Sequence, residues 1–511
     1  MNIRPISELA LYRYRYVIGY ALIAILIAGL LVLNVQSVPA GMSPTEQTSA
    51  LASSQLRLNF HVDTIGQDIL TFLQNTNAVD LPYHLLQRAS IEIFGLSPFG
   101  VRLPSLLLAA ASGFMLLTLL RRWLRPNAAL VMGLVLVTTS WFLSLGRLGT
   151  PDVMIVFWTT LILLLATLIS QEVKYYQGLK VLTLISIAFS LYTPYTVYLF
   201  AAALLGAMTQ PHLRYVIRYA EKASISIGFL LFVLILIPHA YSVWRDPGII
   251  GQLLAIPTDL PDPLDFLKNL LTSLGNLINP FHVALEQHAL PLISIPTTAF
   301  AIIGFARLIK DWHSVRSHVL LVWAALLIPL LGLDKTHNLT VLFVPVMMLS
   351  AIGVQQIFQY WYTLFPRNPY ARIFGLIPLS ILIVSMISFN YQRYFIGLPY
   401  SETAAKIYNQ DPFLLQQTLA SKAYRDQRVI VIAPADKIEL YKIDRAITKD
   451  LAVVTSDQFT PSTNATRVVV AESEFTKLTA AQRAQLPAGK AELLVTARKT
   501  DALRFRSFST P

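Results

Sequence analysis

The sequence lacks cysteine altogether and has few charged residues. Of its 511 residues, 13% are charged, compared with about 25% in an average soluble domain. The absence of cysteine excludes disulfides, thiolate metal sites and cysteine nucleophiles. The scarcity of charge leaves too little polar side chain to cover a soluble surface of this size. Long apolar runs occur at 17–33, 103–120, 155–168, 225–237, 319–331 and 374–387. These approach, alone or with their flanks, the roughly 20 residues that cross a bilayer. The sequence therefore predicts a polytopic α-helical membrane protein.

Eleven spans account for the apolar segments. The first is too long for the apolar region of a signal peptide, and no clear cleavage site follows it, so we interpret it as a retained span. Thr193 and Pro194 interrupt the stretch 179–209, which fits either a hairpin of two short helices or one kinked span. Only the hairpin keeps the later basic loops on one side. The predicted spans are 16–36, 101–120, 128–145, 153–170, 179–192, 195–209, 224–241, 292–308, 318–333, 339–359 and 372–390.

The positive charge is unevenly distributed between alternate loops. The net charge is +12, yet among the short loops of one side only Arg147 and Lys335 are basic, and the other loops hold many arginines and lysines. This asymmetry follows the positive-inside rule and predicts a cytoplasmic N-terminus and, with an odd number of spans, an outer C-terminus. The charge therefore indicates topology rather than nucleic-acid binding. We expect a multi-pass protein of a bacterial-type cell membrane.

Two domains are predicted. Residues 1–400 form the transmembrane domain with two long outer loops, 37–100 and 242–291, and residues 401–511 form a small extracytoplasmic α/β domain. Short amphipathic helices on the membrane surface are expected in the first loop at 43–56, 65–73 and 83–94. The α/β domain should begin with a helix at 402–423. Its expected strands are 428–433, 451–455, 467–471, 491–498 and 503–508. It has no glycine-rich phosphate loop, which favours a docking or lid module.

Three segments resemble a known family. They are PYHLLQRASIEIFGLSPFGVRLPSLLLAAASGFMLLTLLRRW at 82–123, WFLSLGRLGTPDVMIVFW at 141–158 and HNLTVLFVPVMMLSAIG at 337–353. Together they resemble the dolichyl-phosphate-mannose protein mannosyltransferase and aminoarabinose (lipid A) transferase family of the GT-C superfamily. The resemblance implies a GT-C-like fold and a glycosyltransferase of the hexosyl or pentosyl type. It also implies a polyprenyl-phosphate-linked sugar donor held among membrane lipids, an acceptor protein, lipid or glycan outside the cytoplasm, and transfer with inversion.

The family's usual catalytic base is missing. In the family, an aspartate–glutamate pair opens a helix in the first outer loop, and the aspartate is the base. Here Thr45 replaces the aspartate, and Glu46 remains. A threonine cannot serve as a base at neutral pH, so Glu46 is the candidate catalytic residue. Ser43 and Glu46 also have capping-box spacing, with Pro44 at the first helical position, which predicts a purely structural role just as well.

The second block supplies two further candidates. Asp152 corresponds to a second acidic residue of the family site, and it would also suit the positive end of the following helix. Arg147 is a candidate for the donor phosphate. Its alternatives are an ion pair with Asp152 or an anchor at the membrane surface.

Weaker substrate-binding candidates are Arg245, Lys335, His337 and His84. A basic residue at such a position more often extends its charge to the membrane surface. No spaced cluster of His, Asp and Glu supports a metal cofactor, so none is predicted, although the sequence leaves a divalent ion open. No other cofactor is indicated.

Two other functions remain open from the sequence. The first is a degenerate GT-C homologue that binds lipid or assembles with a partner but transfers no sugar, which Thr45 favours. The second is a transporter or flippase, which the absence of paired repeats and of charges deep in the spans argues against.

Overall fold

The structure is a computed structural model. It describes residues 10–56, 77–211, 214–215, 222–278, 292–333, 338–425, 427–446, 450–459, 467–484, 486–487, 492–495 and 503–509. The predicted helix at 65–73, together with Lys335 and His337, lies outside the described residues.

Up to Tyr391, the described residues form sixteen α-helices. We label them α1–α16 in chain order: Ala10–Val32, Pro44–Gln55, Leu81–Phe94, Pro98–Trp123, Pro126–Thr138, Ser140–Arg147, Val153–Ser170, Tyr176–Ser190, Thr196–Thr209, Lys222–Arg245, Gly248–Leu254, Pro263–Ile278, Ile295–Lys310, Val315–Leu333, Phe343–Leu364 and Pro369–Tyr391. A 3-10 turn, Leu339–Leu342, leads into α15, and a π-helical segment, Gln392–Gly397, extends α16.

Seven of the described helices are long and apolar enough to cross a membrane, or eight if the bent pair α5 and α6 is one span. The chain is thus an integral multi-pass membrane protein. The predicted count of eleven depends on α8, α9 and α13, which are shorter helices of 14 to 16 residues. The predicted single span at 128–145 is bent by 56°. The bend falls where the Thr139 side chain both accepts from Phe142 N and donates to the Leu136 carbonyl.

Contacts between helix ends define two opposite ends of the bundle. At one end, Arg316 donates to the Trp123 carbonyl, and Trp123 donates to Thr167. At the other, Gly149 N donates to Glu46, and Asp152 accepts from Asn338. We call these the basic end and the site end. Arg15 lies in the second turn of α1, and the neighbouring Tyr16 hydroxyl donates to Asn127 at the basic end.

The stretch 179–209 forms a hairpin. Tyr192, just after α8, accepts from Asp80 N at the site end, whereas Thr209, at the end of α9, is bonded to His318 near the basic end. The chain therefore reverses between the two helices. Tyr195 in the turn has φ 67°, a left-handed conformation that breaks the helical run.

The C-terminal region contains the predicted five-stranded sheet. Its strands, β1–β5, are Val429–Ile432, Leu451–Val454, Arg467–Ala471, Glu492–Val495 and Leu503–Ser509, in the order β2-β1-β3-β5-β4. Strand β1 is parallel to β2 and β3, and β5 is antiparallel to β3 and β4. Alternate residues of β1 enter two separate cores, so both faces of the sheet are covered.

The prediction of one continuous helix at 402–423 is wrong. The structure breaks it into Glu402–Ile407, Asp411–Leu419 and Lys422–Arg425. Asn409, between the first two, pairs with Met42 in a β-bridge instead of continuing the helix. Pro412 has no N–H to donate to a preceding turn, so it stands in the first turn of a new helix, Asp411–Leu419.

The sheet region and the helix bundle share a hydrophobic core. Met42, Ala50 and Val101 from the bundle belong to one buried cluster with Phe413 and Val431. Helix α2 packs against α3 and the segment Ile438–Tyr441, and its Gln47 accepts from Lys437 Nζ at 2.8 Å. Because α2 is enclosed in this way, a membrane-surface position for it, predicted from the sequence, is not supported.

Candidate active site

The Glu46 carboxylate lies in a buried network at the start of α2. The predicted capping box is present: Ser43 Oγ accepts from Glu46 N at 3.1 Å, and Glu46 Oε2 accepts from Ser43 N at 2.9 Å. Arg102 Nε donates to Glu46 Oε1 at 2.9 Å, and Gly149 N donates to the same oxygen at 2.8 Å. Both charged side chains are fully buried. Arg102 Nη2 also donates to Oε2 at 3.4 Å, so each carboxylate oxygen has two donors.

Arg102 is equally well satisfied. Its remaining N–H groups donate to the carbonyls of Val35, Pro39 and Gly41 at 2.6–3.0 Å. The guanidinium therefore uses its fork of donors to fasten the segment after α1 to α4. A buried ion pair is tolerated when its geometry is good and its other hydrogen-bonding positions are filled, which is the situation here.

Thr45 stands beside this network without entering it. It is half-buried, and its hydroxyl is 2.9 Å from Ser43 Oγ. Proton acceptance by Glu46 would require one of its four donors to be released, because no side of the carboxylate is exposed. The arrangement favours the capping role, and catalysis by Glu46 stays a prediction.

Asp152 occupies the N-cap position of α7, but its side chain makes no capping bond. Instead its Oδ1 accepts from Asn338 Nδ2 at 3.1 Å, which joins two segments 186 residues apart. The carboxyl group is half-buried. The expected cap is therefore absent, and Asp152 presents a partly exposed carboxylate at the site end.

Arg147 is fully buried rather than directed toward the surface. It donates to the carbonyls of Leu30, Leu31 and Val38 at 2.6–3.0 Å, and its guanidinium lies 5.0 Å from the centre of the Phe395 ring. This places a cation at the C-terminal end of α1, where it interacts favourably with the helix dipole. Neither the ion pair with Asp152 nor an interfacial anchor is found. The expected phosphate contact would require this packing to open.

His84 on α3 belongs to a polar chain of side chains. Its Nδ1 is 2.9 Å from Ser53 Oγ, and Ser53 donates to Gln87 Oε1 at 2.7 Å. Since the Ser53 hydrogen is used in that bond, Nδ1 must be the donor to Ser53, which leaves Nε2 as an acceptor. Burial lowers the pKa of His84 to about 4. The neutral ring suits a sugar hydroxyl better than a phosphate.

Asp80 is a buried acid at the site end that the sequence analysis did not single out. It immediately precedes α3, is 9% exposed, and its N–H donates to the Tyr192 carbonyl at 2.8 Å. Burial and the nearby charge of Asp152 raise the pKa of its carboxyl group to about 8. The available signal was an acidic residue two positions before Pro82, which suggests an ordinary N-cap.

The other predicted contacts are dispersed. Arg245 is exposed at the end of α10. No group of three or more His, Cys, Asp or Glu side chains that could hold a metal ion occurs in the described part of the chain. A cavity at the basic end is lined by Arg307, Asp311 and Arg316. Both arginines there already have partners, Asp311 and the Trp123 carbonyl, so we do not place the site in it.

Comparisons with known proteins agree with the predicted resemblance. The model of the dolichyl-phosphate-mannose-protein mannosyltransferase family matches residues 82–242. ArnT from Cupriavidus metallidurans in the apo state is similar in structure, with a TM-score of 0.56 at 11% identity, over 97% of this chain and 98% of that one. The same protein bound to undecaprenyl phosphate gives 0.53 at 12% identity over the same shares.

A third structure, the Archaeoglobus fulgidus oligosaccharyltransferase in the apo form, gives a TM-score of 0.48 at 14% identity, over 91% of this chain and 70% of that one. No curated protein matches the chain by sequence. The predicted resemblance to the dolichyl-phosphate-mannose protein mannosyltransferase family is confirmed over residues 82–242, and the fold is similar to that of ArnT.

Proposed function

We propose that this chain, an integral membrane protein with an ArnT-like GT-C fold, is a glycosyltransferase that uses a polyprenyl-phosphate sugar as donor. The observation that carries the proposal is the position of the family match. Residues 82–242 contain His84, Arg102 and Asp152, which are the side chains that gather at the site end. ArnT, whose fold is similar, has been crystallised with undecaprenyl phosphate, and we propose the same class of carrier here.

The proposed transfer takes place at the site end. A polyprenyl donor keeps its tail in hydrocarbon while its phosphate and sugar reach water, so its reactive bond lies at a membrane face. Asp152 would lie beside the sugar, and His84 Nε2 would accept from a sugar or acceptor hydroxyl. We propose that the donor phosphate is bound by Arg245, Lys335 and His337. The topology predicted from the sequence places each of them near the end of a span on the outer side of the membrane.

The proposed orientation places the basic end in the cytoplasm and the sheet region outside. It can be tested directly because the chain has no cysteine. Single cysteines would replace Asp259 and Lys174, which are both exposed. A membrane-impermeant maleimide should label D259C in intact cells and K174C only after lysis. The reverse pattern would overturn the orientation.

Transfer can be tested with purified protein in lipid nanodiscs. The substrates are radiolabelled mannose or aminoarabinose on polyprenyl phosphate, with a membrane extract as the source of acceptor. We expect transfer by the wild type and a loss of about 10²-fold or more in Asp152→Asn. Asp259→Asn, an exposed substitution, is the control. Full activity in Asp152→Asn would remove this carboxylate from the mechanism.

A second candidate function is favoured by Thr45 and the enclosed Glu46. In that alternative the chain binds the lipid carrier without transferring sugar, because the family base is absent. It predicts saturable binding of undecaprenyl phosphate but no turnover of any donor, and activation by Thr45→Asp. Turnover by the wild type would exclude it.

A further inference from the structure

Asp80 has an unusual backbone for the residue before a helix. Its φ and ψ are 53° and 20°, in the left-handed region, and its side chain makes no capping bond. Left-handed backbone costs free energy in residues other than glycine and persists where the surrounding structure holds it. Here the bond from Asp80 N to the Tyr192 carbonyl holds it. The carboxyl group is therefore turned away from the free N–H groups of α3 that an ordinary cap would use.

The Asp80 carboxyl group is buried with one of its oxygens unpartnered. Its Oδ1 accepts no hydrogen bond within the described chain. The Thr193 hydroxyl is near enough to lower the pKa somewhat, but burial and Asp152 dominate and raise it to about 8. Buried polar groups in folded proteins are nearly always paired, so such an exception needs an explanation, and a catalytic role is one.

The described surroundings of Asp80 contain another acid but no cation that affects its pKa. Asp152 interacts with it electrostatically from the start of α7. The Tyr192–Thr193 turn packs against it, and the Tyr192 ring contacts His239 of α10 at 5.0 Å between ring centres. The titratable side chains in this region are Asp152, Tyr83, His84, Tyr192 and His239.

We infer that Asp80 is the proton acceptor of the proposed transfer, in place of the carboxylate that Thr45 lacks. This inference rests on the proposed function. The acceptor hydroxyl oxygen would form a bond to the anomeric carbon, and the bond from that carbon to the phosphate oxygen would break with its electron pair. The hydroxyl proton would pass to the ionised Asp80 carboxylate. Its Oδ1 accepts no hydrogen bond within the described chain, whereas each oxygen of Glu46 already accepts two.

Asp152 has a supporting role in this scheme. Asn338 donates a hydrogen bond to its Oδ1, and its negative charge contributes to the raised pKa of Asp80. A base is most effective when its pKa is near the working pH. Removing the charge at Asp152 should therefore lower the pKa of Asp80 as well as the rate.

The first experiment measures the Asp80 proton without using activity. Infrared difference spectra of the wild type should show a protonated carboxyl band near neutral pH that titrates at about pH 8. The band should be absent in Asp80→Asn, shifted to a lower pH in Asp152→Asn and unchanged in Glu92→Gln, an exposed acid on the same helix. Asparagine adopts the left-handed region more readily than most residues, so Asp80→Asn should fold. A spectrum without this band would overturn the inference.

The second experiment measures transfer across pH. Wild-type turnover should rise with pH through about 8 as Asp80 ionises. Asp80→Asn should lose about 10²-fold or more above that pH, and the loss should shrink at lower pH, where the wild-type carboxyl is protonated. Asp152→Asn should move the rise to lower pH, which a purely structural role for Asp152 would not do. Glu92→Gln should match the wild type.

The outcomes separate this inference from the proposed function. Wild-type transfer with an Asp80→Asn variant of nearly equal rate would overturn the role of Asp80 and leave the glycosyltransferase intact. If the wild type transferred sugar from none of the donors although its carboxyl band were present, the glycosyltransferase proposal and the role of Asp80 would both be overturned. The protonated Asp80 would then take part in no transfer.

Discussion

Helices α2 and α3 pack against each other, with Ser53 near the end of α2 beside His84 near the start of α3. Each helix begins next to a buried acid, and the two acids have different surroundings. At the start of α2, Glu46 receives four hydrogen bonds, including two from Arg102. At the start of α3, Asp80 is almost as deeply buried, yet one of its oxygens has no partner in the described chain. A saturated carboxylate stabilises a fold, whereas an unsaturated one can accept a proton. The comparison therefore supports a structural role for Glu46 and is the basis of the proposed role of Asp80.

The largest expected effect comes from unpairing Glu46. Arg102→Met would leave a buried carboxylate without its cation, which typically costs about 3–5 kcal/mol. We expect a large fall in the midpoint of thermal unfolding in detergent. The double variant Arg102→Met with Glu46→Gln should recover part of the loss, because it removes the unpaired charge. If Arg102→Met unfolds no earlier than Asp80→Asn, the contrast between the two acids is wrong.

A smaller effect is expected where the Glu46 network meets the sheet region. The Gly41 carbonyl accepts from Arg102, and a Cβ on Gly41 would lie 2.5 Å from the Asn409 carbonyl carbon. Gly41→Ala must therefore displace backbone, at a cost of about 1–3 kcal/mol.

Limited proteolysis should release the sheet region sooner in Gly41→Ala than in the wild type. Gly275→Ala is the matched control, because a Cβ there meets no atom within 4 Å. Equal cleavage rates in the two variants would contradict the contact between Gly41 and Asn409.

The smallest expected effect is on the pH dependence of stability, and it comes from His84 on α3. Burial lowers the pKa of His84 to about 4, while an unfolded histidine titrates near 6.5. The unfolded chain therefore binds more protons between these values, and the stability that His84 contributes is lost as the pH falls through that window. In His84→Gln the unfolding midpoint should fall less between pH 7 and about 4.5. His313→Gln, which replaces an exposed histidine, is the control and should keep the wild-type dependence of the unfolding midpoint on pH. If His84→Gln also kept that dependence, the His84 ring would not be buried as described.

Much of the architecture could be predicted from local patterns. Long apolar runs predicted the spanning helices, short strand-like segments predicted the five strands, and Ser43, Pro44 and Glu46 predicted the capping box. The hairpin at 179–209 followed from the need to keep basic loops together. These features depend on residues close in sequence or on the membrane, which acts on every span in the same way. The division at residue 400 stays a prediction, since the two parts share a core.

The candidate site was predicted less well. Asp152 was identified, but its partner Asn338 was not, because nothing in one sequence relates two segments 186 residues apart. Arg147 suggested a phosphate ligand by its position in a short loop, although its side chain turns inward to the end of α1. The Thr45 and Glu46 substitution pattern raised the question of the base without answering it.

The sequence by itself determined that the chain crosses the membrane, where its helices begin, and that a small sheet follows them. Hydropathy and capping operate over a few residues, so one sequence contains them fully. Only the tertiary structure decided which buried acid is paired. Glu46 contacts Arg102 across 56 residues, whereas in the described chain Asp80 is influenced electrostatically by Asp152 and by no cation. Helix packing brings these groups into range. The free energy of a buried charge depends on its neighbours in space, and packing alone selects them.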